Sequence, residues 1–340
     1  MSKIFFMNDY GEGAHPLIMQ RLAETNLEHT CGYGMDDYSL RAQKLLVEKV
    51  GQPQAQVHMM AGGTSANMIA ISAFLRPYEA VIAADGGHIN VHETGAVEGS
   101  GHKVLIAKSK DGKVLPEGVR EVVAANPDEH TVLPRMVYIS QSTEVGTVYT
   151  LGELRALRAV CDELGLLLYM DGARLGSALA ASGITLRDLG TVCDCFYIGG
   201  TKNGMLFGEA MVIVNPALQP HFRHMIKNRG GMMAKGRLCG LMFLTAFEND
   251  DYFAWARHAN DMADRIRAAV ARSSVPFYQE NCGNQVFVVL TPDQHADLEA
   301  RFAYERWGTL PDGRIAARFV TSWATDAADV QALCDAIEAM

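Results

Sequence analysis

The chain has 340 residues, of which 49% are hydrophobic, and its formal net charge at pH 7 is −9. This length and composition predict a globular protein with a large core, organised as one big domain with a smaller appendage. No block of like charge stands out, so nucleic acid and anionic membranes are disfavoured as partners and small molecules are expected.

The cysteines and the N-terminal segment indicate the cellular compartment. The seven cysteines are scattered, odd in number and mostly set within apolar runs, which is typical of reduced thiols. The first apolar run reaches Asn8 after only four residues, which is too short for a signal peptide, and no later run approaches the length of a membrane span. We therefore expect a cytoplasmic protein.

Two polar, glycine-rich segments, residues 8–16 and 31–38, lie before the first predicted core strand. A helix is predicted to begin near Pro16, because proline favours the first turn of a helix. Long polar loops of this kind can reach a cleft or a neighbouring subunit, and they can equally be solvated linkers. We group residues 1–45 as an N-terminal arm and helix.

A strand, a glycine turn and a helix are predicted over residues 56–75. The turn places the backbone N–H groups around Gly63 and the hydroxyl of Thr64 at a helix N-terminus, where the helix dipole favours a phosphate. The turn matches neither the dinucleotide-binding motif nor the P-loop, so neither of those ligands is expected. Simple capping of the helix explains the turn equally well.

His88 follows the next predicted strand, residues 80–84, and stands four residues before His92. This spacing could supply two metal ligands on a helix, but there is no H-E-x-x-H motif and no third ligand in register, so no metal site is predicted. An ordinary hydrogen-bonded histidine is the common alternative. Because His88 follows the carboxyl end of a strand, we prefer the hypothesis that its ring lies against a cofactor.

Asp171 and Lys202 are the strongest candidates for chemistry. Asp171 ends the apolar strand 166–170, and Lys202 lies in a glycine-rich turn between two apolar runs. The carboxyl ends of strands in an open α/β sheet meet at one crevice, so both side chains should face it. Pyridoxal phosphate needs this pair: a lysine for the Schiff base and a carboxylate on the pyridine nitrogen. A lysine in a plain hairpin is the alternative.

The C-terminal part alternates short strands and helices after a long amphipathic helix over residues 252–272. Strands are predicted at 277–278, 286–290 and 317–321, and helices at 292–302 and 326–340. We predict a large domain over residues 46–248 and a small α+β domain over residues 249–340. Arg318 interrupts an apolar strand, and a buried guanidinium needs an anion, either a structural carboxylate or a substrate carboxylate.

Taken together, these motifs resemble the low-specificity L-threonine aldolases of the β-eliminating lyase family. The motifs that carry the resemblance are Asn8–Tyr10, Gly13–Pro16, Tyr33–Asp36, Gly63–Asn67, Gly87–His88, Thr143–Tyr149, Met170–Arg174, Gly199–Gly204 and Arg318–Trp323. The resemblance implies pyridoxal 5'-phosphate as cofactor and the aspartate-aminotransferase-like fold, which is fold type I of the pyridoxal phosphate enzymes. That fold has a large, doubly wound, mostly parallel sheet domain and a small C-terminal α+β domain.

The resemblance also implies a role for each matching residue. Lys202 would form the Schiff base and Asp171 would contact the pyridine nitrogen, while His88 would stack on the ring. The remaining assignments are Gly63 and Thr64 at the phosphate, and Arg174 and Arg318 at the substrate carboxylate. Asn8 stands where many members of the family have serine, so a hydroxyl contact to the substrate becomes an amide contact.

The function implied is retro-aldol cleavage of a threonine-like β-hydroxy-α-amino acid to glycine and an aldehyde. A base must take the β-hydroxyl proton, and His88 and His130 are the candidates, since a neutral imidazole titrates near working pH. Another lyase or an aminotransferase on the same scaffold is the nearest alternative, with Lys202 moving the Cα proton. A non-catalytic α/β ligand-binding protein is the alternative from another class.

The family places its active sites at a subunit interface, and segments like Tyr33–Asp36 help to line it. We therefore predict a homodimer as the smallest unit, or a homotetramer built as a dimer of dimers. In this arrangement Tyr33 of one subunit would contribute to the substrate site of its neighbour.

Overall fold

The computed structural model describes residues 3–109 and 111–340 and contains two β-sheets. The strands are β1 (Ile4–Phe6), β2 (Gln56–Met60), β3 (Glu79–Ala84), β4 (Val104–Ala107), β5 (Leu133–Ser140), β6 (Leu167–Asp171), β7 (Cys195–Gly199), β8 (Glu209–Ile213), β9 (Phe277–Gln279), β10 (Gln285–Leu290), β11 (Phe302–Thr309) and β12 (Ile315–Val320).

Helices precede, connect and follow these strands. The α-helices are α1 (Pro16–Glu24), α2 (Asp37–Val50), α3 (Gly63–Phe74), α4 (His88–Val91), α5 (Ala96–Gly99), α6 (Pro116–Ala124), α7 (Leu151–Leu164), α8 (Leu175–Ser182), α9 (Leu186–Val192), α10 (Phe222–Asn228), α11 (Arg237–Glu248), α12 (Asp251–Arg272), α13 (Pro292–Arg301) and α14 (Ala327–Glu338). A short 3-10 helix spans Pro216–Leu218.

The larger sheet has the strand order β2-β8-β7-β6-β5-β3-β4. The pairs from β7 to β4 are parallel, and β8 is antiparallel to both of its neighbours. Every residue of β3, β6, β7 and β8 is buried, which explains why these strands are continuous apolar runs. Adjacent residues such as Val81 and Ile82 belong to two different hydrophobic cores, one on each face. The predicted doubly wound, mostly parallel sheet is confirmed.

One edge of this sheet collects the ends of several strands. β3, β5, β6 and β7 are parallel, so their carboxyl ends lie at the same edge. β8 has the opposite direction, and its first residue, Glu209, pairs with Gly199 at the end of β7 and with Met60 at the end of β2. The segments that follow Met60, Ala84, Ser140, Asp171 and Gly199 therefore meet around one crevice.

Helix α7 shows how local sequence sets the element boundaries. Its start is fixed by a capping box, in which the Thr150 hydroxyl accepts from the Glu153 amide and the Glu153 carboxylate accepts from the Thr150 amide. Its end is fixed by Gly165, whose backbone is left-handed with φ 67°. Helix α7 connects β5 to β6 in the sheet.

The smaller sheet has the order β1-β11-β12-β10-β9 and differs from the prediction at two strands. The predicted helix 292–302 ends at Arg301, and β11 begins directly afterwards. Its central residues Glu305 and Arg306 carry charge and Gly308 lies near its end, which hides the strand pattern. Ile4–Phe6 was grouped with the arm, but it pairs in parallel with β11, about 300 residues away in sequence, a contact that no local pattern encodes. The domain boundaries at residues 45 and 248 stay predictions.

None of the helices within residues 3–109 and 111–340 is long and apolar enough to cross a membrane.

Strand β1 offers a matched pair of substitutions. Phe6 is fully buried, with its ring centroid 6.3 Å from that of Phe302 and 6.5 Å from that of Phe319, whereas Phe5 on the opposite face is 47% exposed. Phe6→Ala should lower the free energy of unfolding by about 3–5 kcal/mol because it leaves a cavity in the small core. Phe5→Ala should change it by less than about 0.5 kcal/mol. Urea unfolding monitored by fluorescence measures both, and equal effects would contradict the assigned register.

Candidate active site

A cavity of about 410 Å³ opens at the carboxyl edge of the larger sheet. A second cavity of about 280 Å³ adjoins it, shares Tyr10, His88, His92, Glu144, Arg174 and Lys202 with it, and is also lined by Glu305, Trp307 and Arg318. The first cavity is also lined by Gly63, Thr64 and Asp171. A larger open groove of 720 Å³ between α2, α9 and α12 contains none of the predicted site residues. Seven of the ten site residues predicted from sequence therefore line the crevice.

Asp171 is a buried carboxylate with donors on both oxygens. Oδ1 accepts the backbone N–H of Ala173 at 2.9 Å and the hydroxyl of Tyr197, and Oδ2 accepts Asn67 Nδ2 at 3.0 Å and the Tyr138 hydroxyl at 2.7 Å. Burial by itself raises the pKa of Asp171, but the charge of His88 and these hydrogen bonds lower it below the ordinary value. The cavity therefore has a permanent negative charge that can hold a protonated ring nitrogen.

His88 is held by a buried network that continues from Asp171. Asn67 Nδ2 also donates to Glu93 Oε1 at 2.7 Å, and Tyr169 donates to Asn67 Oδ1 at 2.8 Å. His88 Nδ1 donates to the same Glu93 oxygen at 2.7 Å. Burial lowers the pKa of His88, yet the hydrogen bond to Glu93 and the charge of Asp171 raise it above the ordinary value overall. The ring is thus fixed beside the cavity.

Lys202 lies in a turn that requires close backbone approach. A Cβ atom on Gly200 would lie 2.6 Å from the carbonyl oxygen of Gly208, and Asn203 Nδ2 donates to the carbonyl of Gly199 at 2.8 Å. Burial and the nearby charge of Arg174 lower the pKa of Lys202. Among residues 3–109 and 111–340, no carboxylate forms an ion pair with its ammonium group. An amine that loses its proton readily is suited to Schiff-base formation.

Glu209 is a site residue that the sequence analysis missed. Its carboxylate accepts hydrogen bonds from the Gly200 amide at 2.9 Å and the Thr201 hydroxyl at 2.8 Å. These bonds hold the two residues that precede Lys202 in its turn. Burial raises the pKa of Glu209 to about 8, against the opposing effect of those two hydrogen bonds. The available signal was a single acid directly before the apolar strand 210–214.

The N-terminus of α3 is open to an anion. Gly62 provides no side-chain cap, and the hydroxyl of Ser65 donates to the carbonyl of Gly62 instead of accepting from the helix. The amides around Gly63 and Thr64 therefore keep the positive end of a 12-residue helix available at the cavity. This arrangement can hold a phosphate group.

Arg174 is oriented by Asp9, which the sequence analysis did not select. Arg174 Nε and Nη2 donate to the two oxygens of Asp9 at 2.7 and 3.1 Å, and Asn284 Nδ2 donates to Asp9 at 2.8 Å. Asn8, which was predicted to contact substrate, instead accepts the Tyr10 amide at 3.0 Å and lines neither cavity. Tyr10 lines both cavities and its ring lies 5.8 Å from Lys202 Nζ. Residues 8–10 belong to no helix or strand, so the sequence has no periodicity that predicts which of their side chains faces the cavity.

Arg318 reaches the adjoining cavity from β12. Its guanidinium pairs with Glu305 on β11, donates from Nη1 to Gln285 Oε1 at 3.0 Å and lies 5.0 Å from the centroid of the Trp307 ring. Its buried Nε has no hydrogen-bond partner in the part of the chain that the structure describes. A structural carboxylate is thus present, and the residue also lines the 280 Å³ cavity, where its charge can attract a ligand carboxylate.

Besides Asn8, two further predicted residues line neither cavity, His130 and Tyr33. His130 is in the surface turn between α6 and β5, with 85% of its side chain exposed, so the structure does not bring it to the site. His92 lines both cavities instead, although only its spacing to His88 was considered from sequence. Tyr33 is 45% exposed, and its ring lies under the ammonium group of Lys227 at 4.6 Å. Tyr33 therefore lies outside both cavities of its own chain.

The amino-acid sequence is similar to those of known proteins over nearly its whole length. Residues 12–292 match the profile of the family described as Beta-eliminating lyase. The chain is 34% identical over 335 residues to the low specificity L-threonine aldolase of Pseudomonas aeruginosa, and the match covers 96% of this chain and 95% of that protein. It is also 34% identical over 342 residues to the low specificity L-threonine aldolase of a Pseudomonas species, covering 98% and 97% of the two chains.

Comparison with solved structures gives the same picture. A threonine aldolase from Leishmania major superposes with a TM-score of 0.97 at 42% sequence identity, and the match covers 98% of each chain. A mutant aspartate aminotransferase from Thermus thermophilus superposes with a TM-score of 0.68 at 13% identity, covering 99% of this chain and 91% of that one. The second match shows a shared fold alone, and the predicted aspartate-aminotransferase-like fold is confirmed.

The raised pKa of Glu209 predicts how the cofactor-free protein responds to pH. Between the ordinary glutamate pKa of 4.5 and about 8, the folded chain binds a proton at Glu209 that the unfolded chain releases. Stability from this group is therefore present at low pH and is lost as pH rises through about 8. The melting temperature of Glu209→Gln minus that of wild type should therefore increase by several degrees as the pH rises from about 5 to about 9.

Calorimetry across that pH range measures the gap between the two proteins. The exposed glutamate Glu48 provides the control, because Glu48→Gln should follow wild type at every pH. A constant gap between Glu209→Gln and wild type would contradict the raised pKa.

Proposed function

The chain belongs to the beta-eliminating lyase family, and we propose that it cleaves threonine-like β-hydroxy-α-amino acids to glycine and an aldehyde. The observation that carries this proposal is one cavity in which Lys202, the ionised Asp171 and the open N-terminus of α3 face each other. The near full-length similarity to low specificity L-threonine aldolases supports this reaction over others of the family.

The residues of the cavity fit pyridoxal 5'-phosphate. Lys202 would hold it covalently, Asp171 would hold its ring nitrogen, and the amides of Gly63 and Thr64 would hold its phosphate. His88, fixed by Glu93, would lie against the ring. When bound, this cofactor supplies an electron sink for the pair released when a bond to Cα breaks.

The two arginines are proposed to hold the substrate. Arg174 is fixed by Asp9 and Arg318 by Glu305, and both arginines line the 280 Å³ cavity, so a carboxylate between them would be clamped in one orientation. Such a clamp sets which bond to Cα is aligned for cleavage, and that alignment is the main source of reaction control. The β-hydroxyl proton must leave to a base that faces the cavity. Of the two predicted histidines, only His88 meets that condition.

Another lyase or an aminotransferase reaction is the second candidate. It is favoured by the lowered pKa of Lys202, because an amine of this kind could move the Cα proton. Products separate the candidates: threonine or phenylserine yields glycine and an aldehyde in the proposed reaction, and a keto acid in the alternatives.

We also propose a cytoplasmic location. All seven cysteines are free thiols, and most of them are buried in the cores. Free thiols in this number are expected where the surroundings keep them reduced. A cytoplasmic location also agrees with the proposed reaction, whose substrates and products are small amino acids and aldehydes.

The function is tested first at Lys202. Lys202→Ala should lose the near-visible absorbance of the lysine-bound cofactor, and threonine cleavage should fall by about three orders of magnitude or more. The fold should persist, because the side chain lines a cavity instead of filling a core. Circular dichroism, an absorbance spectrum and an assay for glycine measure these outcomes.

A matched lysine gives the control. Lys44, whose side chain is 81% exposed on α2, should tolerate alanine with spectrum and turnover unchanged. If Lys202→Ala keeps both its absorbance and its turnover, the assignment is wrong.

We propose a homodimer as the smallest unit, with a homotetramer as the larger form. Five exposed apolar side chains lie on α1, the turn that follows it, residues 31–38 and α2; they are Met19, Leu27, Tyr33, Met35 and Leu40. Single exposed apolar residues are common, but a group on adjacent segments is typical of a contact surface. The exposed position of Tyr33 supports its role at a neighbour's site.

Subunit mixing tests this assembly. Lys202→Ala chains and Tyr33→Ala chains should each be inactive, and a mixture exchanged into mixed dimers should regain up to about a quarter of wild-type turnover, because one site in a mixed dimer is intact. Sedimentation velocity gives the oligomeric state. A fully active monomer would refute the proposal.

A further inference from the structure

Glu144 is an acid in the cavity that the predicted mechanism leaves without a role. It follows β5 at the carboxyl edge of the sheet and lines both the 410 Å³ and the 280 Å³ cavities. His88, His92 and Lys202 line the same two cavities. Glu144 therefore stands where the substrate and cofactor regions meet.

The Glu144 carboxylate is anchored through one oxygen. Oε1 accepts the backbone N–H of His88 at 2.9 Å and the hydroxyl of Ser140 at 2.7 Å. Oε2 accepts no hydrogen bond from the residues that the structure describes. The side chain is thus fixed in place while one of its oxygens stays available to a ligand.

The surroundings of Glu144 raise its pKa. Burial raises the pKa of Glu144 above the ordinary value, although the Ser140 hydroxyl and its own backbone amide oppose this. The ionisable groups that interact electrostatically with Glu144 come from several elements. They are His88, Asp171, Tyr138, Tyr149 and Arg174. A general base is most effective when its pKa lies near the working pH.

Neither histidine of the cavity is as well placed to act as the base. His88 Nδ1 is committed to Glu93, and the raised pKa of His88 favours the protonated ring, which cannot accept another proton. Burial and the neighbouring His88 lower the pKa of His92, so its ring is neutral. No hydrogen bond among the described residues holds the His92 ring at a fixed position, whereas two bonds hold Glu144.

We propose that Glu144 is the catalytic base of the cleavage reaction, an inference that rests on the function proposed above. The Glu144 carboxylate takes the β-hydroxyl proton of the substrate, and the O–H bonding pair becomes the second bond of the aldehyde carbonyl. The Cα–Cβ bonding pair stays with the glycine fragment, which takes up one proton from solvent. Glu144 then releases its proton to solvent, so one amino acid gives one glycine and one aldehyde.

Glu144→Gln removes the base while keeping the shape of the side chain. Turnover of threonine should fall by about 10²–10⁴-fold, and the decline of kcat/KM on the acid side of the pH profile should disappear. Glu144→Asp should restore part of the turnover and the acid-side decline. Glu79 is the matched control, since it is a buried glutamate that accepts the Arg76 amide outside the cavity, and Glu79→Gln should keep the wild-type pH profile.

A second measurement uses the cofactor-free protein and needs no turnover. Carbodiimide labelling of Glu144, followed by mass spectrometry across pH, reports the midpoint of its titration. Because the Ser140 hydroxyl stabilises the carboxylate, Ser140→Ala should move this midpoint to higher pH. The acid side of the kcat/KM profile of the loaded Ser140→Ala enzyme should move in the same direction, which a purely structural role would not produce.

Several results would overturn the assignment. Wild-type turnover in Glu144→Gln, or an acid-side decline that persists in it and vanishes in His88→Asn or His92→Asn, makes a histidine the base. A Ser140→Ala profile that stays fixed while the labelling midpoint moves also refutes Glu144. A wild-type enzyme that forms a keto acid and no glycine from threonine refutes the proposed function itself, and labelling then still reports whether Glu144 titrates near neutral pH.

Discussion

The buried carboxylate of Asp171 is the interaction on which the rest of the site depends. A charge that is 4% exposed must be solvated by the protein itself, because leaving it without partners would cost several kcal/mol. Its donors come from Asn67 on α3, Tyr138 on β5, Tyr197 on β7 and the turn after β6. One charge therefore links three adjacent strands and helix α3, and the negative end of the cavity exists before any ligand enters.

Some charged groups of the cavity have an ion-pair partner and others do not, and this difference shifts their pKa values in different directions. Arg174 has its own carboxylate in Asp9, so it stays charged, whereas Lys202 has no ion pair among the described residues and loses its proton more readily. Glu209 lies below the lysine turn in a buried position and holds its proton up to about pH 8. A fixed cation, a labile amine and a titrating acid within one crevice are the components that proton-transfer chemistry requires.

The sequence supported the prediction of elements whose signal is local. Apolar runs that end in Asp171, precede His88 or flank Lys202 are buried strands, and their shared edge follows from the rules of parallel sheets. Pairings over long distances could not be predicted, such as β1 with β11 or the contact of Asp9 with Arg174. His130 had the right chemistry but lies in an exposed turn, and residue type alone carries no information on that.

The glycines around the crevice divide into two groups, and the division explains how a cavity and a rigid frame coexist. A Cβ atom on Gly172 would overlap the Tyr197 carbonyl, and one on Gly199 would overlap the Ala173 carbonyl, so the turn after β6 packs backbone to backbone against the end of β7. That contact fixes the separation of Asp171 from Lys202. A Cβ atom on Gly62 would meet nothing within 4 Å, because the space beside the α3 N-terminus is open. Glycine at 172 and 199 thus fixes the relative position of Asp171 and Lys202, while Gly62 borders an open space at a helix N-terminus in which an anion can lie.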